Sequence, residues 1–348
     1  MELSELQKKI VEAPEDKVVV IARAAVGKTK CLTERVRFWL HQGVEPSDIC
    51  AITYTNLAAD EMRKRLADDY KDGMFIGTIH SLAARFLSLG GYGAKIGKMI
   101  DEDDFDKFFD YIEKDPSCVE HYSYVLVDEA QDLSYNIYYF IFKMIKPEHF
   151  FVVGDPFQTI YESFERQSSP RYMSELLALP DVKKYDLNEN YRNKANILNY
   201  AKSALKPLRL TDNSIPMSIG GTVFEGKFDI ERLLEWIDKT GNYKDWAILC
   251  YSNADVDKIL KILNQNFVPN VNFNQRKKTA KEIDQLTNQN KVKVLTVWGA
   301  KGLGFPYVMV YGMNWMRKNN QPSIRKKESY RVDYVAFTRA MDALMVCK

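Results

Sequence analysis

Short apolar runs alternate with amphipathic stretches along the whole chain. The runs are Val18–Ala22, Ile49–Thr53, Phe75–Thr78, Tyr124–Val127, Phe150–Val153, Val182–Leu187, Trp246–Tyr251, Val292–Val297, Tyr307–Tyr311 and Leu344–Cys347. Unbroken runs of branched and aromatic residues suit strands buried on both faces of a parallel sheet. Between them the apolar period becomes helical. In Asn56–Tyr70, for example, Leu57, Met62 and Leu66 fall near helical spacing, with charges elsewhere. The alternation predicts an α/β fold with mostly parallel sheets. Repeats and low-complexity tracts are absent from the sequence. Two stretches read as linkers, Gln167–Pro180 and Pro207–Gly221. They place a boundary between Ser169 and Glu189, giving domains of 1–184 and 185–348, the first with a small helical insertion at about 91–121.

Composition narrows the class. The 348 residues are 46% apolar and 12% aromatic, which supplies two folded cores and excludes disorder and fibrous repeats. Lys and Arg number 49 against 47 Asp and Glu, a net of +2, so a nucleic-acid surface would have to be a local patch. The five cysteines are scattered without a CxxC, and the four histidines form no ligand pair; free thiols are expected rather than disulfides or zinc. The start, MELSELQKK, lacks an apolar leader, and no run is long enough to cross a bilayer. A soluble, cytoplasmic protein is the expectation.

The first run leads into Ala22-Arg-Ala-Ala-Val-Gly-Lys-Thr29 and then an amphipathic segment to Gly43. A strand, a loop of backbone N–H groups and a helix N-terminus make a phosphate cradle. The backbone at Ala22, Ala24, Ala25 and Gly27 would line it. Lys28 would meet the β- and γ-phosphates of ATP, and the Thr29 hydroxyl would sit on Mg²⁺. Arg23, Ala25 and Val26 depart from a glycine-rich loop, and an ordinary strand–turn–helix is the competing reading. Tyr124-Val-Leu-Val-Asp-Glu-Ala-Gln-Asp132 shifts the balance, because it is a buried strand ending in adjacent carboxylates. Asp128 is placed to hold Mg²⁺ through water and Glu129 to deprotonate the attacking water.

With these residues in view, the chain resembles the UvrD/Rep/PcrA-type superfamily 1 DNA helicases nearly from end to end, with the motifs in family order. The matching segments are Gln7 within LSELQKKIV, Ile52–Met62, Gly77–Leu82, the DEAQD run, Val153–Tyr161, Leu187–Arg192, Thr296–Phe305 and Tyr334–Ala340. The resemblance implies two RecA-like domains with ATP in the cleft between them and single-stranded DNA lying across both. It gives Gln7 the reading of adenine and Tyr191 a stack on adenine, with Lys30 opposite where the family usually has arginine. It makes Gln158 a γ-phosphate sensor that relays to the strand. Arg192 and Arg339 would stabilise charge on the transferring phosphoryl group, as planar guanidiniums can. For the strand it points to Tyr54, Thr55, Asn56, His80, Ser81, Tyr161, Thr296, Trp298 and, in place of a base-stacking tryptophan, Phe164. Stacking on bases is sequence-tolerant. Tyr54 and Tyr161 also read as core aromatics, and the basic runs Arg276–Lys278 and Arg325–Lys327 as solvated faces.

The sequence departs from the family pattern where accessory subdomains normally sit, between Ser81 and Asp128 and between Ser252 and Thr296. It departs again at Gly304, where a glutamate near the ribose is usual, and at Trp298, where histidine is usual. The expected protein is a nearly bare two-domain motor moving 3′ to 5′ on single-stranded DNA, with a duplex junction as a further substrate and an accessory protein for loading or unwinding. Two rivals are a nucleotide-gated single-strand-binding switch with weak hydrolysis and a translocase on RNA. A fused nuclease is not expected, because the chain stops soon after Tyr334–Ala340.

Overall fold

The computed structural model describes residues 2–102, 106–161, 169–273, 280–313 and 323–347. They divide into two compact units, each α/β with a parallel sheet. The first unit comprises Met1–Ala22, Gly27–Pro156 and Arg166–Leu187; the second comprises Arg23–Val26, Phe157–Glu165 and Asn188–Lys348. Two short stretches from the first half of the sequence therefore group with the second unit.

In the first unit, strands β1 (Lys17–Ala22), β2 (Ile49–Thr53), β3 (Phe75–Thr78), β4 (Tyr124–Val127), β5 (His149–Gly154) and β6 (Val182–Leu187) lie in the order β3-β2-β4-β5-β1-β6. Every neighbouring pair is parallel. Four of the six strands are mostly buried, as their apolar runs require, and β3 is half-buried at the sheet edge. The remaining strand, β6, is an edge strand whose Lys183 and Lys184 are exposed; lysines on an edge discourage further strand pairing. The core gathers Val19, Val125 and Val152 from the sheet with Phe86, Phe108 and Phe140 from the helices. Burial of each such side chain contributes about 1.5–3 kcal/mol. Helices Gly93–Asp101 and Asp106–Lys114 occupy the region expected to hold the small insertion, and Met99, Phe109 and Ile112 join the same core.

The second unit begins with a two-stranded parallel pair, β7 (Glu189–Asn190) and β8 (Ile215–Pro216). Its main sheet comprises β9 (Thr222–Gly226), β10 (Trp246–Cys250), β11 (Asn270–Asn272), β12 (Val292–Thr296), β13 (Phe305–Tyr311) and β14 (Ala340–Cys347), in the order β11-β12-β10-β13-β14-β9. Trp246 at its centre is fully buried, stacks on Tyr307 at 5.3 Å and donates its indole N–H to Thr240 Oγ1 at 2.9 Å.

Both stretches read as linkers need correction. Arg171–Leu177 is a helix that buries Met173 and Leu176. Pro207–Gly221 carries β8 and the buried Asp212 and Ser214. Asn56–Tyr70 also ends early as a helix, at Arg65, where three basic residues fill the last turn and suit its negative dipole end. All five cysteines are free and buried. Among the described residues, no helix is long and apolar enough to cross a membrane.

Candidate functional site

In the first unit, β4, β5 and β1 are neighbours, so the segments leaving their carboxyl ends converge, and this is where α/β sheets bind ligands. Gly27 takes a left-handed conformation (φ +85°) and caps the helix Lys28–His41, putting Lys28 and Thr29 in its first turn. A Cβ on Gly27 would come within 2.8 Å of Gln7 Nε2, so glycine is needed here for space as well as for conformation. Gln7 is buried, and its amide oxygen accepts from Ser4 N at 3.1 Å while Ser4 Oγ accepts from Gln7 N at 3.2 Å. This capping box fixes the first helix and holds the glutamine beside Gly27. Lys30 donates to the backbone oxygen of Glu2.

Lys28 Nζ lies 3.0 Å from Glu129 Oε1. Burial works against its charge, but Glu129, Asp128 and Asp155 outweigh burial and push its pKa up, so the ammonium persists across neutral pH. Glu129 itself has φ +50°, a left-handed conformation that costs a non-glycine residue about 1–2 kcal/mol. Its amide donates to Asp128 Oδ1 at 2.8 Å. Its second carboxylate oxygen accepts from Gln131, whose own side-chain oxygen accepts from Asp155 N at 2.8 Å. Gln131 and Asp155 thus complete a polar cluster that the sequence reading did not assign, although DEAQD contained one of them and the turn after β5 the other.

The other predicted residues of this unit lie at the ends of β2 and β3, which are also neighbours. Thr55 and Thr78 cap the helices Asn56–Arg65 and Ile79–Leu89, accepting from Ala58 N and Ser81 N, each at 3.2 Å. Thr55, Asn56 and Ser81 are exposed at those helix N-termini. His80 is half-buried, its ring 6.0 Å from that of Phe109. Tyr54 is half-buried and lines a cavity of about 20 Å³ with Thr53, Asp128, Glu129 and Asp132. The same sheet edge therefore presents helix N-termini at one end and the Lys28–carboxylate cluster at the other.

In the second unit, Arg339 is buried and Arg192 half-buried, and both donate to the carbonyl of Leu303, at 3.1 and 3.0 Å. Arg339 also donates to Gln158 Oε1 at 3.2 Å. Two guanidiniums on one carbonyl form a concentration of positive charge suited to an anion. Gly304 permits it, because a Cβ there would come within 2.8 Å of Arg192 Nε. The residue at the usual glutamate position thus gives its space to an arginine. The segment after Gln158 is strapped to the Thr296–Phe305 region: Lys301 Nζ donates to Gln158 O and Trp298 Nε1 to Ile160 O, both at 3.0 Å. Lys301 also sits 5.1 Å from the Tyr161 ring centre, over its face. Thr296 Oγ1 accepts from Gly299 N at 3.2 Å. Tyr191 is exposed, and its hydroxyl donates to Glu189 at 2.7 Å. Phe164 and Arg276–Lys278 lie outside the described residues, as do the side chains of Arg325 and Lys326.

The Ala22–Thr29 segment begins on β1 with the fully buried Ala22 and continues as Arg23–Val26, which groups with the second unit. The Ala24 and Ala25 carbonyls accept from Asn190 Nδ2 at 3.0 Å and Tyr191 N at 3.1 Å. Ala25 has φ +62°, so a residue with a Cβ occupies a glycine conformation.

The UvrD/REP helicase N-terminal domain model matches residues 3–117 and 113–177, and the UvrD-like helicase C-terminal domain model matches 271–348. The chain is 26% identical over 366 residues to the "Putative ATP-dependent DNA helicase R568" of Acanthamoeba polyphaga mimivirus, covering 94% of this chain and 50% of that protein. It is 24% identical over 368 residues to DNA helicase II of Escherichia coli, covering 77% and 51%. A shorter match, 37% over 115 residues, links it to the ATP-dependent DNA helicase SRS2 of Saccharomyces cerevisiae, covering 30% and 10%. The chain spans about half the length of the first two relatives.

Proposed function

The chain belongs to the UvrD/REP helicase family, and from that premise we propose that it is an ATP- and Mg²⁺-dependent motor that moves 3′ to 5′ along single-stranded DNA. The observation that carries the reading is the partly buried Lys28–Glu129 pair with Asp128 beside it, past the carboxyl ends of β1 and β4. One ammonium among three carboxylates leaves a surplus of negative charge, which suits a divalent cation. Among the described residues there is no group of three or more His, Cys, Asp or Glu side chains able to hold a metal alone. A Mg²⁺ ion here would be shared between Thr29, Asp128, water and phosphate oxygens, its usual mode beside a nucleotide. When bound, ATP supplies the phosphoanhydride whose cleavage drives movement.

The chain's own residues then divide the work. The Lys28 ammonium holds the terminal phosphates, and Glu129 takes the proton from the attacking water. Arg192 and Arg339 offset charge on the departing phosphoryl group, and Gln158, bonded to Arg339, reports its presence to Tyr161 through the two intervening residues, Thr159 and Ile160. Gln7, Lys30 and Tyr191 serve the base. The exposed helix N-termini at Thr55–Asn56 and His80–Ser81 grip the sugar–phosphate backbone without reading sequence. Tyr54, Tyr161, Thr296 and Trp298 complete the track. The altered phosphate loop, with Ala25 at φ +62°, favours a nucleotide-gated switch as the second reading. Unwinding through an accessory protein is part of the proposal.

Replacing Tyr161 with alanine is expected to weaken single-strand binding by about 1–3 kcal/mol, regardless of base identity. Fluorescence anisotropy with poly-dT and mixed-sequence oligonucleotides measures it, and unchanged affinity would return Tyr161 to a packing role. Streptavidin displacement from biotinylated single strands tests the motor itself. ATP-driven displacement from the 5′ end alone is expected, whereas displacement from neither end would leave the switch.

A further inference from the structure

Arg23 stands in the phosphate loop where a glycine would give freedom, and its side chain is accounted for in an unusual way. The guanidinium carbon lies 3.8 Å from the centre of the Phe157 ring. Nε lies 3.7 Å from Asp212 Oδ1 and donates to Asn213 Oδ1 at 3.4 Å. The Asp212 side chain is fully buried and accepts from the Tyr334 hydroxyl at 2.9 Å and from Ser214 N at 2.8 Å. Tyr334 is buried and meets Phe157 edge-on, with ring centres 6.3 Å apart. The arginine thus sits in a box with an aromatic floor and a buried carboxylate wall, inside the second unit. A planar guanidinium can stack by its face and pair by its edge at the same time; an ammonium cannot.

The box adds to the two carbonyl tethers on the same loop, Asn190 to Ala24 and Tyr191 to Ala25. A loop that lacks glycines at these positions and holds Ala25 in a left-handed conformation persists only if its surroundings over-determine it. Gly27 and Lys28 follow directly in the chain, so the anchoring sets where the phosphate-binding backbone begins.

We propose that Arg23 and Asp212 are a positioning pair that presets the phosphate loop for nucleotide, in place of the missing glycines. The proposal rests on the reading of Ala22–Thr29 as the nucleotide-phosphate loop. The role proposed for the pair is to position the loop, so it should act on nucleotide affinity and leave the chemical step alone. With fluorescent mant-ADP and Mg²⁺ as the probe, Arg23→Ala is expected to raise Kd about tenfold. KM for ATP should rise in parallel while kcat stays within about twofold. Arg23→Lys should restore only part of the affinity. Asp212→Asn, which leaves the Phe157 stack in place, should raise Kd less than Arg23→Ala, and the double variant should be no worse than Arg23→Ala within about threefold, since both remove the same ion pair. A cooperative thermal transition checks that each variant is folded; if Asp212→Asn does not fold, the two Arg23 variants carry the test. Unchanged Kd and KM in folded Arg23→Ala, or losses that multiply in the double variant, would overturn the pairing while the phosphate-site reading stands. A wild-type protein that binds no mant-ADP would overturn both.

Discussion

Replacing Lys28 with alanine is expected to reduce ATP hydrolysis by at least about 10²–10³-fold, the scale of losing one preorganised electrostatic contact to a transferring group. Its ammonium is the cation at the centre of the cluster, 3.0 Å from Glu129 and held charged by Asp128, Glu129 and Asp155 against the opposing effect of burial. The raised pKa fixes the pH window. A group whose pKa is higher in the folded state stabilises fully below its unfolded value and loses that contribution only as pH rises through the folded one. For Lys28 that lies in the alkaline range, so the pair holds throughout neutral and acidic conditions down to carboxylate protonation. Removing the ammonium leaves carboxylates facing one another; the pair is partly buried, so the loss should fall below the about 3–5 kcal/mol of a fully buried pair. The variant should therefore unfold at lower denaturant while binding single-stranded DNA within a few-fold of wild type, because the exposed helix N-termini at Thr55–Asn56 and Ser81 are untouched. Steady-state hydrolysis beside anisotropy separates these effects; unchanged turnover would remove Lys28 from the phosphate site.

Glu129→Gln should behave differently. The amide keeps the size of the side chain but cannot take a proton, so turnover should fall about 10²–10⁴-fold, the usual contribution of a positioned general base. Lys28 retains Asp128 and Asp155 as neighbours, so stability should fall less than in Lys28→Ala. Nucleotide should still bind, and ATP should be recovered intact from the complex. Glutamine remains compatible with the contact from Gln131, because its own amide oxygen can still accept from Gln131 Nε2 while Gln131 keeps its bond from Asp155 N. Rapid filtration with radiolabelled ATP reads the trapped species directly. Wild-type turnover in this variant would assign the base to another group.

The contrast between these two substitutions shows what was legible in the sequence. Ten runs became strands of the two parallel sheets; burial on both faces demands unbroken apolar sequence in most of them, and the exposed edge strand Val182–Leu187 is the exception. The strands that escaped notice, Thr222–Gly226 and Asn270–Asn272, are sheet edges and carry no such demand. Lys28, Asp128 and Glu129 stood out because the phosphate and proton chemistry proposed for them restricts residue type and places it at strand ends. Their supports did not. Gln131 bridges Glu129 to Asp155 through an ordinary amide, and Leu303 receives two arginines on a backbone carbonyl that any residue possesses. Asp212 sits in a loop whose proline and glycines read as a linker, and only tertiary packing brings it to Arg23. Gly304 was visible as a departure, but its consequence, room for Arg192, was not.

The most direct test of a nucleic-acid-driven motor is steady-state ATP hydrolysis with and without single-stranded DNA, on the wild-type protein beside Glu129→Gln. Strong stimulation by DNA in the wild type, lost in the variant, is the predicted result. Tight DNA binding with negligible turnover in both proteins would contradict it and leave a nucleotide-gated switch.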